Sequence, residues 1–145
     1  PHMPDKQRYA DELLRVMRPG GLLAVADWNR RDPSDGGMTR TERWVMRQLL
    51  NQWAHPEFAS IKGFRQNLDN SVHNRGEIVT GDWTQATLPS WIDSIIEGVR
   101  RPWAVLSLGP KAVLQGLRET PTLLLMHWAF ATGLMQFGVF RIRKG

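Results

Sequence analysis

The chain has 145 residues, of which 41% are hydrophobic and 23% charged, a balance typical of one globular domain and not of a disordered tail. No apolar run reaches the roughly eighteen residues of a membrane-spanning helix, and the first residues lack the features of a secretory signal. The chain contains no cysteine, which excludes disulfides, thiolate catalysis and cysteine-bound metals. We therefore expect a cytoplasmic protein.

The net charge of +5 suits contact with phosphates or with an anionic membrane surface. However, the arginines are spread along the chain, and the two basic clusters, at residues 100–101 and 141–144, are short. No known nucleic-acid-binding motif accompanies them. We therefore expect no nucleic-acid partner, and transient contact with a membrane surface stays open.

The chain opens with a predicted helix, turn and strand. An amphipathic pattern predicts a helix over residues 6–18, the glycines at 20–21 predict a turn, and an apolar run predicts a strand over residues 22–27. These elements form one unit of an α/β domain, which normally has another strand before the helix. We expect that strand to be missing from this sequence.

Two further helices are expected to follow. Thr39 and Glu42 have the spacing of a capping box, in which each residue bonds to the backbone of the other, so a helix should run from there to about Trp53. Ser60 has the position of an N-cap for a shorter helix. The order so far is helix, strand, helix, helix.

The second half of the chain is predicted to hold two strands around a helical insertion. A turn at residues 74–76 precedes a strand over 77–83, and the alternating segment 134–143 predicts the last strand. Between them the sequence is helical and unusually apolar, and Pro89 suits the first turn of a helix. Further prolines should divide the rest into short helices; they are Pro102, Pro110 and Pro121. We interpret residues 88–133 as a helical cap.

Four segments of the sequence resemble the C-terminal half of class I, S-adenosylmethionine-dependent methyltransferases, and most of all the tocopherol and prenyl-quinol methyltransferase group. The segments are HMPDK, RVMRPGGLLAVADW, GDWTQATLPSW and GLMQFGVFRIRKG. The resemblance implies an α/β fold with a partial Rossmann-like sheet. Residues 22–27, 77–83 and 135–143 would be its fifth, sixth and seventh strands, with the last strand antiparallel.

The resemblance implies S-adenosylmethionine as the cofactor. That family holds the cofactor with a glycine-rich loop after the first strand and an acidic residue at the end of the second. Neither has a counterpart here, because the glycine pairs at 20–21 and 36–37 have the pattern of turns. We therefore expect that the isolated chain does not bind the cofactor and that it needs an N-terminal half, from a longer precursor or a separate chain.

Several candidate site residues follow from the resemblance and the strand ends. His2 matches the family's histidine after the fourth strand, where it would take a proton from a phenol or orient it. The alternative is that the chain opens with the remnant of a cleaved tag followed by an initiator methionine at residue 3, in which case His2 is not native. Trp28 follows the fifth strand, and Trp83, Thr84 and Gln85 follow the sixth, which is where open α/β sheets place their ligands.

The predicted cap supplies further aromatic candidates. Trp91 and Trp128, together with Trp103 and Phe130, would form an apolar wall suited to an isoprenoid or aromatic substrate. Packing between short helices is the alternative for each of them, as core packing is for the tryptophans after the strands. No metal site is predicted, because the histidines lie too far apart for a local motif; they are His55, His73 and His127.

Two functions from different classes stay open. The first is the substrate-binding and lid half of a methyltransferase that acts on a hydrophobic small molecule such as a prenyl quinol or phenol. The second is a non-catalytic binding or assembly module. In either case strand 22–27 would be an unprotected sheet edge, so we expect a homodimer formed with a second copy of the chain, unless the N-terminal half covers that edge.

Overall fold

A computed structural model describes residues 2–52, 54, 56–73 and 76–145. The predicted helix end at Trp53, most of the turn at 74–76 and His55 lie outside the described residues. The elements in chain order are α1 (Lys6–Val16), β1 (Leu22–Arg30), a short 3-10 helix (Pro33–Asp35), α2 (Arg40–Gln52), α3 (Ile61–Asp69), β2 (Ile78–Asp82), α4 (Thr84–Arg100), α5 (Pro102–Leu106), α6 (Pro110–Ala131) and β3 (Met135–Arg143).

The three strands form one sheet in the order β1-β3-β2. β3 lies in the middle and runs antiparallel to both neighbours, with Leu22 opposite Arg143 and Ile78 opposite Ile142. β1 and β2 therefore run in the same direction on either side of it. This arrangement confirms the predicted α/β sheet with an antiparallel last strand.

Hydrophobic residues pack against both faces of the sheet. One face carries α1 and α3, and its buried residues are Ala10, Leu14, Phe64, Leu68, Ile78, Phe140 and Ile142. The core on the other face includes α2 and α6, and its buried residues are Val45, Met46, Leu49, Phe58, Met126, Ala129, Phe130, Leu134 and Met135. Because side chains alternate along a strand, Phe140 and Ile142 serve the first core while Met135 serves the second.

Both predicted helix caps are confirmed. The Thr39 backbone N–H donates to Glu42 Oε2 at 2.7 Å, and the Glu42 N–H donates to Thr39 Oγ1 at 3.2 Å. At the start of α3, Ser60 Oγ accepts from the Gly63 N–H at 3.0 Å. Each cap satisfies backbone donors that a helix start leaves without intrahelical partners.

Two predicted helix boundaries are wrong. α4 begins at Thr84, so Pro89 lies inside this helix and not in its first turn. Pro121 lies inside α6 and does not divide it, whereas Pro102 and Pro110 begin helices as predicted. All four buried residues of α6 follow Pro121, so packing of this part of the helix offsets the hydrogen bond that the proline cannot make.

Across the described residues, no helix has both the length and the apolar character needed to cross a membrane.

The loop after β1 is held by a carboxylate with a strongly lowered pKa. Asp32 Oδ1 accepts from Ser34 Oγ at 2.6 Å and from the Ser34 N–H at 2.9 Å, and Asp32 Oδ2 accepts from Ser60 Oγ. The hydrogen bonds from Ser34, followed by the one from Ser60, lower the pKa of Asp32 from 3.8 to about 2.

We expect this carboxylate to give the folded protein an acid-sensitive step in stability. A carboxylate whose pKa is lower in the folded protein than in the unfolded chain stabilises the folded protein at pH values above the unfolded pKa. This contribution is lost as the pH falls from 3.8 towards about 2. The free energy of unfolding should therefore fall across this range. Denaturant titrations at several pH values should show a smaller fall in Asp32→Asn and an intermediate one in Ser34→Ala. An unchanged pH dependence in Asp32→Asn would contradict the prediction.

Candidate functional site

A cavity of about 260 Å³ lies between the sheet and the helices α4 and α6. Its walls come from the end of β1, the start of β3, the middle of α4 and the end of α6. The lining residues are Trp28, Thr87, Leu88, Ser90, Trp91, Ser94, Phe130 and Phe137. Five of these eight are aromatic or aliphatic, and the other three carry neutral hydroxyl groups.

The floor of the cavity is set by strand register. Trp28 on β1 lies directly opposite Phe137 on β3, so their side chains project from the same face of the sheet. Both rings pack against the core that includes α2 and α6. The floor is therefore aromatic and is fixed by backbone pairing.

The start of α4 is tied to the start of β3 by hydrogen bonds. Asp82, the last residue of β2, accepts from the Thr84 N–H at 2.9 Å, and the Thr84 hydroxyl also bonds to this carboxylate. Thr84 Oγ1 accepts from the Phe137 N–H at 2.8 Å, and the Trp83 N–H donates to the Phe137 carbonyl at 2.8 Å. These contacts fix the direction in which α4 leaves the sheet, and so place its next turns over the aromatic floor.

The upper wall of the cavity is aromatic as well. The rings of Trp91 on α4 and Phe130 on α6 lie 6.4 Å apart between centroids, at an interplanar angle of 56°. Trp91 Nε1 is buried and has no hydrogen-bond partner in the described part of the chain. A buried donor of this kind costs about 1–3 kcal/mol until it finds an acceptor.

The hydroxyl groups of the cavity wall are all on α4. Thr87 Oγ1 donates to the Trp83 carbonyl at 2.9 Å, and Ser94 Oγ donates to the Ser90 carbonyl at 2.8 Å. The oxygens of Thr87 and Ser94 keep lone pairs that can accept from a ligand. Since no lining residue carries a charge, the cavity suits a neutral, largely apolar ligand with one or two hydroxyl groups.

The structure brings together only some of the predicted substrate-binding residues. Trp28 and Trp91 both line the cavity, whereas Trp83 is 55% exposed and does not. Thr84 is buried and uses its hydroxyl in the contacts to Asp82 and Phe137, so it acts in positioning α4. Gln85 and Trp128 are exposed and lie outside the cavity lining.

Sequence reasoning missed five lining residues, which are Thr87, Ser90, Ser94, Leu88 and Phe137. The first three share one face of α4 with Trp91, because they recur at a spacing of three to four residues. That spacing was visible in the sequence. The position of Phe137 became apparent only from its register with Trp28.

A second cavity, of about 150 Å³, lies on the opposite face of the sheet and contains His2. Asp27 and Asn29 project into this face because they alternate with Trp28 along β1. The other lining residues are Met3, Lys6, Tyr9, Ala59 and Phe64. Burial lowers the pKa of Lys6, while burial and the charge of Asp27 raise the pKa of Tyr9. The second cavity is thus polar and ionisable, in contrast to the first.

Asn29 lines the second cavity and fixes the end of β1. It is 2% exposed, its Oδ1 accepts from the Gly138 N–H at 3.1 Å, and its Nδ2 donates to the Ala59 carbonyl at 3.2 Å. A Cβ atom on Gly138 would lie 2.1 Å from Asn29 Oδ1. Asn29 therefore connects β1, β3 and the chain segment before α3 through one buried amide.

Comparison with solved structures defines the class of fold. The structure superposes on that of a putative sarcosine dimethylglycine methyltransferase from Galdieria sulphuraria with a TM-score of 0.75 and 17% identity, covering 99% of this chain and 49% of that one. It also matches phosphoethanolamine N-methyltransferase 2 of Haemonchus contortus, solved with S-adenosyl-L-methionine, with a TM-score of 0.78 and 11% identity, covering 99% of this chain and 30% of that one. The chain has the fold of part of an S-adenosylmethionine-dependent methyltransferase.

Sequence relatives narrow this class. The chain is 51% identical to 2-methyl-6-phytyl-1,4-hydroquinone methyltransferase of Synechocystis sp., over 99% of this chain and 46% of that protein. It is 25% identical to the chloroplastic tocopherol O-methyltransferase of Arabidopsis thaliana, over 99% of this chain and 40% of that protein. A scan against models of protein families finds no match. The chain is a homologue of the C-terminal part of these quinol and tocopherol methyltransferases, and it spans less than half of their length.

Proposed function

We propose that this chain is the acceptor-binding part of a methyltransferase that acts on a prenyl quinol or a related hydrophobic phenol. The observation that carries the proposal is the uncharged aromatic cavity between Trp28 and Trp91. It is supported by the name of the relative with 51% identity, which is a phytyl-hydroquinone methyltransferase. In this role α4 and α6 act as a lid over the bound ring.

The size and chemistry of the cavity fit the aromatic head of such an acceptor. At about 260 Å³ the cavity is below the roughly 300–1,000 Å³ of pockets that enclose drug-sized ligands. We infer that it takes the ring, while a prenyl tail leaves along the apolar cap helices. The ring hydroxyls would donate to Thr87 or Ser94, and a hydroxyl oxygen would supply the acceptor that Trp91 Nε1 lacks.

The test is saturable quenching of tryptophan fluorescence by a short-chain prenyl quinol. Burial of about 300 Å² of apolar ligand surface contributes about 7–8 kcal/mol before the cost of association, which allows micromolar affinity. We expect Trp91→Ala to weaken binding at least about tenfold, because it removes one wall of the cavity. Circular dichroism would establish that this variant stays folded.

Two further variants make the binding test specific. Ser90 lines the cavity at its solvent-exposed rim, so the larger side chain of Ser90→Phe should obstruct the cavity and weaken quinol binding. Trp83→Phe changes an exposed tryptophan outside the cavity and should bind like the unmodified chain. The proposal fails if the quinol causes no saturable quenching in the unmodified chain. It also fails if the Ser90→Phe variant binds the quinol as tightly as the unmodified chain does.

The two glycine pairs of the chain are the candidates for a cofactor-binding loop. The related methyltransferases bind S-adenosylmethionine. Here, Gly20 and Gly21 form the turn from α1 into β1, and Gly36 lies in the loop between the short 3-10 helix and α2. Among the described residues, neither pair connects the end of a strand directly to a helix, as a nucleotide-binding loop requires. The residues present do not fit the cofactor by themselves.

We therefore propose that methyl transfer needs a cofactor-binding part equivalent to the remaining length of the relatives. This chain would bind and orient the acceptor and exclude water from it. His2 was predicted as the proton acceptor, but it lies in the second cavity, on the face of the sheet opposite the bound ring. A hydroxyl held at Thr87 or Ser94 would not reach it, so the catalytic role of His2 stays a prediction.

Calorimetric titration with S-adenosylmethionine tests the need for a second part. We expect no binding to this chain tighter than about the millimolar range, because the loop and the acidic residue that supply most contacts are absent from it. The full-length Synechocystis relative serves as the positive control. Micromolar binding to this chain would contradict the prediction and would mean that its own residues form a complete site.

A second candidate function is supported by the exposed edge of the sheet. Within the described residues, β3 is the only strand that pairs with β1, and apart from a bridge between Arg30 and Ser60 the other edge of β1 has no backbone partner. On one face of β1, Leu22, Ala24 and Ala26 are exposed. Unprotected strand edges tend to pair with another chain. An assembly module that dimerises through β1 would use this surface.

Measuring the oligomeric state by light scattering tests whether the chain dimerises through β1. If β1 pairs with a second copy, the chain should be dimeric at micromolar concentration, and Ala24→Lys should favour the monomer, since a charged side chain beside the edge opposes pairing. Glu12→Lys, on the exposed surface of α1, is the control. A monomer that binds the quinol would exclude this alternative and leave the proposed function intact.

A further inference from the structure

The cap helices expose many large apolar side chains. We call this set the cap surface. Its members are 58–76% exposed, and they are Val99, Trp103, Leu106, Leu108, Leu114, Leu117 and Leu124. They come from α4, α5, the loop after α5 and α6, and these helices contact one another. Proteins seldom leave so much apolar surface in water unless it has a binding role.

α6 shows how the cap surface arises. Leu114, Leu117 and Leu124 recur at intervals of three and seven residues and so share one face of the helix. The residues of α6 that are buried lie on the other side, and they are Thr122, Met126, Ala129 and Phe130. α6 is thus apolar on two opposite faces, of which only one packs against the core.

The segment that carries the cap surface is also basic. Between residues 97 and 119 it contains four basic side chains and two acidic ones. The basic residues are all exposed, and they are Arg100, Arg101, Lys111 and Arg118. Arg101 pairs with Glu97, while Glu119 accepts from Gln115 at 2.9 Å. Long basic side chains next to exposed leucine and tryptophan are typical of helices that lie in the interface of an anionic membrane.

We propose that the cap surface docks on an anionic lipid membrane, with the leucines and Trp103 entering the interface and the basic side chains contacting lipid phosphates. Two observations favour a membrane over a second copy of the chain. The apolar residues extend over three helices and a loop, which is wider than the single seam of a helix pair. A symmetric pair of cap surfaces would also bring four basic residues of each copy together.

The experiment is co-sedimentation of the whole chain with vesicles of phosphatidylcholine, with and without added phosphatidylglycerol. No quinol is present, so the outcome is independent of the proposed acceptor site. We expect binding to the anionic vesicles that is at least about tenfold tighter than to neutral ones and that weakens with added salt. Absence of binding to anionic vesicles would overturn the proposal.

Matched variants separate the apolar and the charged contributions. Leu114→Gln with Leu117→Gln should weaken vesicle binding at least about tenfold, because two leucines no longer enter the interface. Arg100→Gln with Lys111→Gln should remove most of the preference for anionic lipid. Val16→Gln with Val72→Gln is the control, since these valines are 60% and 81% exposed but lie outside the cap.

The same variants test whether a second copy of the chain, in place of a membrane, covers the cap surface. If the unmodified chain self-associates in light scattering and the Leu114→Gln, Leu117→Gln pair restores a monomer, the cap surface is an interface between copies, and the membrane proposal is overturned. It is also overturned if this pair of substitutions leaves vesicle binding unchanged. Weaker vesicle binding with an unchanged oligomeric state supports it.

Discussion

Replacing Gly138 with alanine is expected to lower the free energy of unfolding by about 2–5 kcal/mol, through overpacking and the loss of buried hydrogen bonds. The new Cβ would lie 2.1 Å from Asn29 Oδ1 and 2.9 Å from Ile61 Cγ1. Asn29 cannot move aside without giving up its bonds to Gly138 and Ala59. Urea titration followed by far-UV circular dichroism measures the change.

A glycine on the neighbouring strand provides the control. A Cβ on Gly81 of β2 would meet Trp83 Nε1 at 3.3 Å, and this side chain is 55% exposed and free to shift. Gly81→Ala should therefore cost far less than Gly138→Ala. Adding Asn29→Ala to Gly138→Ala should cost less than the sum of the two single changes, because they remove the same contact. Equal costs for the two glycine variants would show that Asn29 does not constrain β3.

Replacing Glu42 with alanine is expected to cost about 2–4 kcal/mol, because the carboxylate serves as a helix cap and as one half of a partly buried ion pair. Glu42 accepts from the Thr39 N–H at 2.7 Å and lies 3.0 Å from Arg31 Nη2. The hydrogen bond from the Thr39 backbone, with a further contribution from Arg31, lowers the pKa of Glu42. The same urea titration reports the loss.

Two variants show which role of Glu42 matters. Glu42→Gln keeps an acceptor for the Thr39 N–H but removes the charge, so it should retain part of the stability that Glu42→Ala loses. Glu12→Ala removes an exposed ion pair in which Arg15 lies 2.7 Å away, and it should have far less effect. A Glu42→Ala variant no less stable than Glu12→Ala would contradict the prediction.

Features that depend on neighbouring residues were predictable from the sequence. The capping box at Thr39 and Glu42 and the N-cap at Ser60 formed as expected, because each needs only a side chain three residues from the backbone group it bonds. The three strands were predicted from an apolar run after the first turn, from the segment after the turn at 74–76 and from alternation in the last segment, although β1 continues to Arg30, three residues beyond the expected end. The family resemblance supplied the position of each strand in the sheet.

The helix boundaries in the cap depended on tertiary contacts. Pro89 and Pro121 are local signals against a continuous helix, yet both lie inside helices. α4 begins early because Thr84 bonds to Asp82 and to β3, and α6 continues because its last turns pack into the core. The cost of a few kcal/mol for a proline inside a helix is tolerated where packing and hydrogen bonds of the rest of the helix outweigh it.

The sequence by itself determined the α/β class, the helix caps and the candidate aromatic residues, since these depend on residue type and spacing along the chain. Only the tertiary structure decided which aromatic residues meet. Trp28 and Trp91 share a cavity because strand register fixes the first and the direction of α4 fixes the second. Trp128, on the exposed side of α6, lies outside the cavity. The physical reason is that a cavity is formed by residues far apart in sequence, whose distances depend on packing of the whole domain.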